Sequence, residues 1–79
     1  MKVNKEQPLP KWFKGILYPK GDVVANPFTG AEIGLTAEEL SMYDYLMGCV
    51  YLNKQGNDFL KGLTWFRRAN PDAYMVLLD

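Results

Sequence analysis

Leu35–Asn53, LTAEELSMYDYLMGCVYLN, carries the signals of a helix at several levels at once. Thr36 stands where an N-cap belongs and Glu39 follows three residues on, the reciprocal arrangement of a capping box. Leu35 before the cap and Leu40 at the fourth helical position make the matching hydrophobic staple. Glu38 and Glu39 place two carboxylates in the first turn, at the positive end of the helix dipole. The spacing therefore predicts a long helix.

Apolar residues on that helix cover an unusually wide arc. Leu40, Tyr43, Met47 and Val50 form one stripe; Met42, Tyr45, Cys49 and Leu52 form a second, with Leu46 between them. So broad a surface must be covered from more than one direction. The simpler expectation is the central helix of a small core. The sharper one leaves a stripe, with Met42 and Tyr45 on it, for a second subunit or another protein. Gly48 costs helix stability, and close approach of another backbone is a reason to keep it.

Seventy-nine residues make one domain. A chain this short buries a modest fraction of its surface, which favours self-association. One cysteine forbids an intramolecular disulfide, and the absence of histidine leaves no zinc set. Both fit a reducing, intracellular setting. The opening MKVNKEQ is polar and no apolar run suits a secretory leader or a membrane span.

Net charge is zero but unevenly laid out. Residues 1–21 hold five lysines and one glutamate, a balance of +4. Residues 22–53 hold five acids and no base, a balance of −5, and residues 54–79 hold four bases and three acids, a balance of +1. Pairing of the blocks within the fold accounts for this; steering of a charged partner is the alternative.

On either side of the long helix the chain divides as follows. Residues 1–10, with Pro8 and Pro10 among polar groups, have little to bury and are expected to form a flexible arm. Trp12–Tyr18, WFKGILY, has strand composition, and Pro19-Lys20-Gly21 reads as a turn in which glycine supplies a positive φ. Asp22–Ala25 is a short second strand, Asn26-Pro-Phe-Thr-Gly30 a strong turn, and Ala31–Leu35 an alternating strand leading into the helix. Beyond the long helix, Gly56 reads as its stop. A second helix is expected over Asp58–Ala69, with Phe59, Leu63 and Phe66 on one face and Arg67 and Arg68 at its negative end. Asn70-Pro71 then caps and opens a last short helix, ending in the nearly all-apolar Tyr74–Leu78. The expected fold class is α+β: a short antiparallel meander or hairpin, one long central helix and two shorter C-terminal helices in one domain over residues 11–79.

No catalytic constellation is visible. Without histidine, imidazole chemistry is closed. Cys49 sits mid-helix among apolar neighbours, as a small hydrophobe would. Glu38 and Glu39 point about 100° apart on a helix, so they do not make a paired-carboxylate site. No cofactor or metal set stands out. Two clusters suit binding instead. Trp12, Lys14 and Tyr18, with Lys11 and Lys20, interleave rings and cations as single-strand binders do, although packing of the rings on the helix is the plainer account. Trp65 and Arg68 form the kind of anchor pair found at protein interfaces, unless Trp65 covers the last helix.

Taken together, Asn26-Pro-Phe-Thr-Gly30, Ser41-Met-Tyr-Asp-Tyr45 and the ending GLTWFRRANPDAYMVLLD from Gly62 resemble small proteins encoded by tailed bacteriophages, marine ones in particular. The resemblance spans most of residues 11–79. It implies a setting, the cytoplasm of an infected bacterium or the virion, and gives no residue a role. The leading expectation is a non-enzymatic accessory protein that binds a host or phage protein, as a homodimer. Binding of single-stranded or non-specific nucleic acid through the N-terminal segment is the first alternative, and a minor structural part of the particle the second. Zero net charge weighs against strong nucleic-acid affinity.

Overall fold

A computed structural model of the chain describes residues 8–78. They form an α+β fold: a two-stranded antiparallel hairpin, β1 (Asp22–Ala25) and β2 (Glu32–Leu35), followed by α1 (Ala37–Tyr51), α2 (Asn57–Ala69) and α3 (Pro71–Leu77). Register pairs Asp22 with Leu35 and Val24 with Ile33, which puts Val24, Ile33 and Leu35 on one face. That face joins the core; Leu35 is buried there.

The hairpin turn is organised by one side chain. Asn26 Oδ1 accepts from the backbone N–H of Phe28 (2.7 Å) and of Thr29 (3.1 Å), while Asn26 Nδ2 donates to the Val76 carbonyl at 2.7 Å. Gly30 takes the left-handed conformation at φ 80°, where glycine avoids the Cβ penalty. The turn is thus closed locally and pinned to the end of α3.

α1 begins as the spacing predicts. Glu39 N–H donates to Thr36 Oγ1 (3.2 Å) and Thr36 N–H to Glu39 Oε1 (3.0 Å), a complete capping box. Its other end differs from expectation. Asn53, not Gly56, ends the helix: it adopts φ 57°, its N–H donates to the Val50 carbonyl, and the Lys54 N–H reaches back to the Cys49 carbonyl. These are the two bonds of a Schellman motif, with asparagine in the left-handed position. Gly56 is instead the N-cap of α2. Asn70 caps α3, accepting from the Ala73 N–H at 3.0 Å, with Pro71 in its first turn.

The core lies between the hairpin face and the three helices. Met42 and Leu46 of α1, Phe66 of α2 and Ala73 of α3 are fully buried, and Trp65 and Leu77 nearly so. Gly62 lets α2 approach α1 closely. A Cβ there would lie 2.8 Å from Leu46 Cδ2 and 3.2 Å from Met42 Sδ.

Three expectations for the N-terminal half are corrected. Trp12–Tyr18 is not a strand, so the sheet is a hairpin rather than a three-stranded meander. Aromatic and branched residues favour strands because they suit a pleated, half-buried surface, and this segment meets a helix instead. Phe13 packs edge-on against Tyr45 with centroids 5.5 Å apart, and the Tyr18 N–H donates to Ser41 Oγ at 3.0 Å. Gly21 has no positive φ; its missing side chain admits the Leu35 carbonyl, which a Cβ would strike. The flexible arm expected over residues 1–10 lies outside the described residues up to residue 7. Residues 8–10 are docked: Leu9 packs on the core and the Pro8 carbonyl accepts from Trp65 Nε1–H at 2.9 Å.

Candidate functional site

Gly48 removes a side chain from the outer surface of α1, and the chain around it makes a groove. Ile16 comes alongside from the segment before β1, the Asn53 turn folds Lys54 back at the C-terminal end of α1, and Phe59 of α2 closes the far wall. The groove encloses about 770 Å³. Tyr45, Cys49 and Leu52 line it from α1, with Asp44 on its rim. Much of this apolar surface is open: Ile16 is 66% and Leu52 68% exposed, and the neighbouring Tyr51 83%. A Cβ on Gly48 would meet nothing within 4 Å, so no packing inside the fold uses the missing side chain.

The phenol of Tyr45 is pushed above its ordinary value of 10.0, by burial first, then by its hydrogen bond to Cys49 and the nearness of Cys49 and Asp58. Cys49, a buried free cysteine of α1, lies beside it in the groove lining. Tyr43, on the other flank of α1, is also raised, by burial and then by Tyr51. Among the described residues no three His, Cys, Asp or Glu side chains gather as a metal set, and no helix is long and apolar enough to cross a membrane. The groove offers apolar contact from Ile16, Leu52 and Phe59 beside the charged Asp44, Lys54 and Asp58.

A second, smaller recess of about 310 Å³ lies where residues 8–10 meet α2. It brings together three of the residues singled out in the sequence, Trp12, Trp65 and Arg68, with Lys61. Lys61 Nζ sits 5.2 Å from the centre of the Trp12 ring, a cation–π distance. Trp12 also leans on Tyr45, with centroids 6.2 Å apart. The other candidates scatter. Lys14 is exposed and Tyr18 half-buried, and neither lines the groove or the recess. Met42 is fully buried in the core and has no surface for a partner, so its stripe divides: Met42 packs inward, while Tyr45, Cys49 and Leu52 line the groove. Trp65 is 9% exposed and its Nε1–H donates to the Pro8 carbonyl, so it is held by the proline segment and is not a free anchor.

Sequence reasoning set Leu52 on a stripe of α1 and Phe59 on one face of α2 without bringing them together with Ile16, and it gave Phe28 no role. Ile16, Leu52 and Phe59 belong to segments far apart in the chain, and no local pattern joins them. Phe28 is different: 93% exposed at the hairpin tip, its backbone held by Asn26. Turns run over the surface, and the strong turn signal of Asn26–Gly30 was the cue for an exposed ring there.

No protein-family profile, no curated protein and no solved structure matches this chain.

Proposed function

We propose that this chain is a non-enzymatic protein-interaction module, an accessory protein of a tailed bacteriophage that works by docking protein in the cytoplasm of the infected bacterium or in the virion. One observation carries the reading: the groove beside Gly48, where apolar side chains of α1, α2 and the segment before β1 are left uncovered around a glycine that the fold itself does not need. Phage origin is supported by the sequence resemblance alone. The test is retention of host or phage proteins by the immobilised chain, compared with a Gly48→Arg variant that fills the groove. Loss of specific bands in the variant supports docking there. Identical capture by both proteins removes the groove from the reading.

A second reading has its own support. The recess of Trp12, Lys61 and Arg68 gathers a ring and two cations with no acid among its lining residues, a composition that suits an anionic strand. Against it, the Trp12 ring is already engaged by Tyr45 and Lys61. Binding of a labelled oligonucleotide that weakens steeply with salt, and is lost in Lys61→Glu/Arg68→Glu, favours this reading. No binding at low salt excludes it.

A further inference from the structure

We infer that the groove beside Gly48 is filled by α1 of a second copy of this chain, in an antiparallel two-fold dimer whose helices cross at Gly48. The inference rests on the groove being a protein-docking face and names its occupant.

Gly48 is the first ground. It lies within the fifteen-residue α1, where glycine is less favourable than alanine. It makes no turn, has no positive φ, and would meet nothing if it carried a Cβ. Gly62 shows the contrast, since its missing Cβ is used by Leu46 and Met42 of the same chain. What uses the bare backbone at Gly48 is a neighbour from outside.

Charge supplies the second ground and selects a copy over an unrelated helix. Asp44, Lys54 and Asp58 are the charged residues lining the groove. Asp58 is paired with Lys61 at 3.5 Å, the one ion pair among the described residues, which leaves Asp44 and Lys54 without such a partner. An antiparallel crossing at Gly48 sets each residue opposite the one equally far beyond the glycine. Asp44 then faces Leu52 of the second copy, with Lys54 just past it, and the symmetry axis repeats the Asp44–Lys54 pairing on the other side. The same operation lays Tyr51 across from Tyr45 and covers Leu52. A net charge of zero sets no long-range repulsion between copies.

Sedimentation equilibrium of the full chain from micromolar to near-millimolar concentration tests this. The expected average mass rises from 9.0 kDa toward twice that value. Gly48→Arg is expected to weaken association by about tenfold or more while leaving the thermal unfolding of the monomer unchanged or raised, because the added side chain enters open space. Asp44→Lys and Lys54→Glu each weaken association, and the two combined restore it, since the swap recreates both pairs. A mass of 9.0 kDa throughout overturns the dimer. So does association that Gly48→Arg leaves intact, or a charge swap that fails to restore. If the chain stays monomeric but captures a host protein that Gly48→Arg does not, the dimer falls and the docking face stands; if it does neither, both fall.

Discussion

Asn70 Nδ2 donates to Glu39 Oε1 at 3.1 Å, joining two helix starts that are 31 residues apart in the chain. The same oxygen accepts from the Thr36 N–H to close the capping box of α1, and Asn70 Oδ1 caps α3. One buried carboxylate therefore orients both caps and locks α1 to the α2–α3 junction.

Removing it is expected to cost more than removing either cap. Thr36→Ala costs about 1 kcal/mol, the ordinary value of a lost N-cap. Glu39→Ala loses both hydrogen bonds to Oε1 and is expected to cost about 2–3 kcal/mol, with Glu39→Gln intermediate because a neutral amide oxygen can accept the same two bonds but more weakly than a carboxylate oxygen. The checks are chemical denaturation of each variant and of Glu39→Ala/Asn70→Ala, whose combined loss is expected to be clearly smaller than the sum, as for residues in one network.

Two helical glycines are expected to respond to alanine with opposite signs. At Gly48 the methyl meets nothing, so Gly48→Ala gains about 1 kcal/mol of helix propensity. Gly62→Ala gains the same propensity but drives a methyl against Leu46 and Met42, both fully buried, at an overpacking cost of about 1–3 kcal/mol. Melting temperatures measured at low protein concentration decide it: a rise for Gly48→Ala and a fall for Gly62→Ala.

Stability is expected to fall on the alkaline side. Tyr43 and Tyr45 hold their protons to higher pH in the folded chain than the ordinary value of 10.0, so the fold retains protons that the unfolded chain releases. Their contribution is complete below that value and is lost as pH rises through it toward the raised folded values. Denaturation midpoints measured on either side of pH 10.0 are expected to drop, and Tyr43→Phe/Tyr45→Phe to flatten the drop.

The hairpin tip separates display from stability. Asn26→Ala breaks the bonds to Phe28, Thr29 and Val76 together and is expected to cost about 1–3 kcal/mol, read as a lower denaturation midpoint. Phe28→Ser alters a ring that is almost wholly exposed and is expected to change stability by less than about 0.5 kcal/mol. A larger loss in Phe28→Ser would show that the ring is held by the fold.

What the sequence by itself determined is a set of signals each written within a few residues: the capping box at Thr36–Glu39, the Asn26–Gly30 turn, the Asn70-Pro71 break, and so three helices and a hairpin in order. Those signals are complete locally, because a cap or turn satisfies backbone groups only three or four residues away. Tertiary structure decided the rest. Trp12–Tyr18 has strand composition but meets α1 rather than another strand, so its rings pack on Tyr45 and Ser41 takes its backbone N–H. Trp65 is covered by Pro8, fifty-seven positions away, and Met42 by α2. The groove exists only because Ile16, Gly48, Leu52 and Phe59 converge from three segments. Whether an apolar side chain is core or surface depends on which distant segment arrives to cover it, and periodicity along one helix shows a face without showing its neighbour.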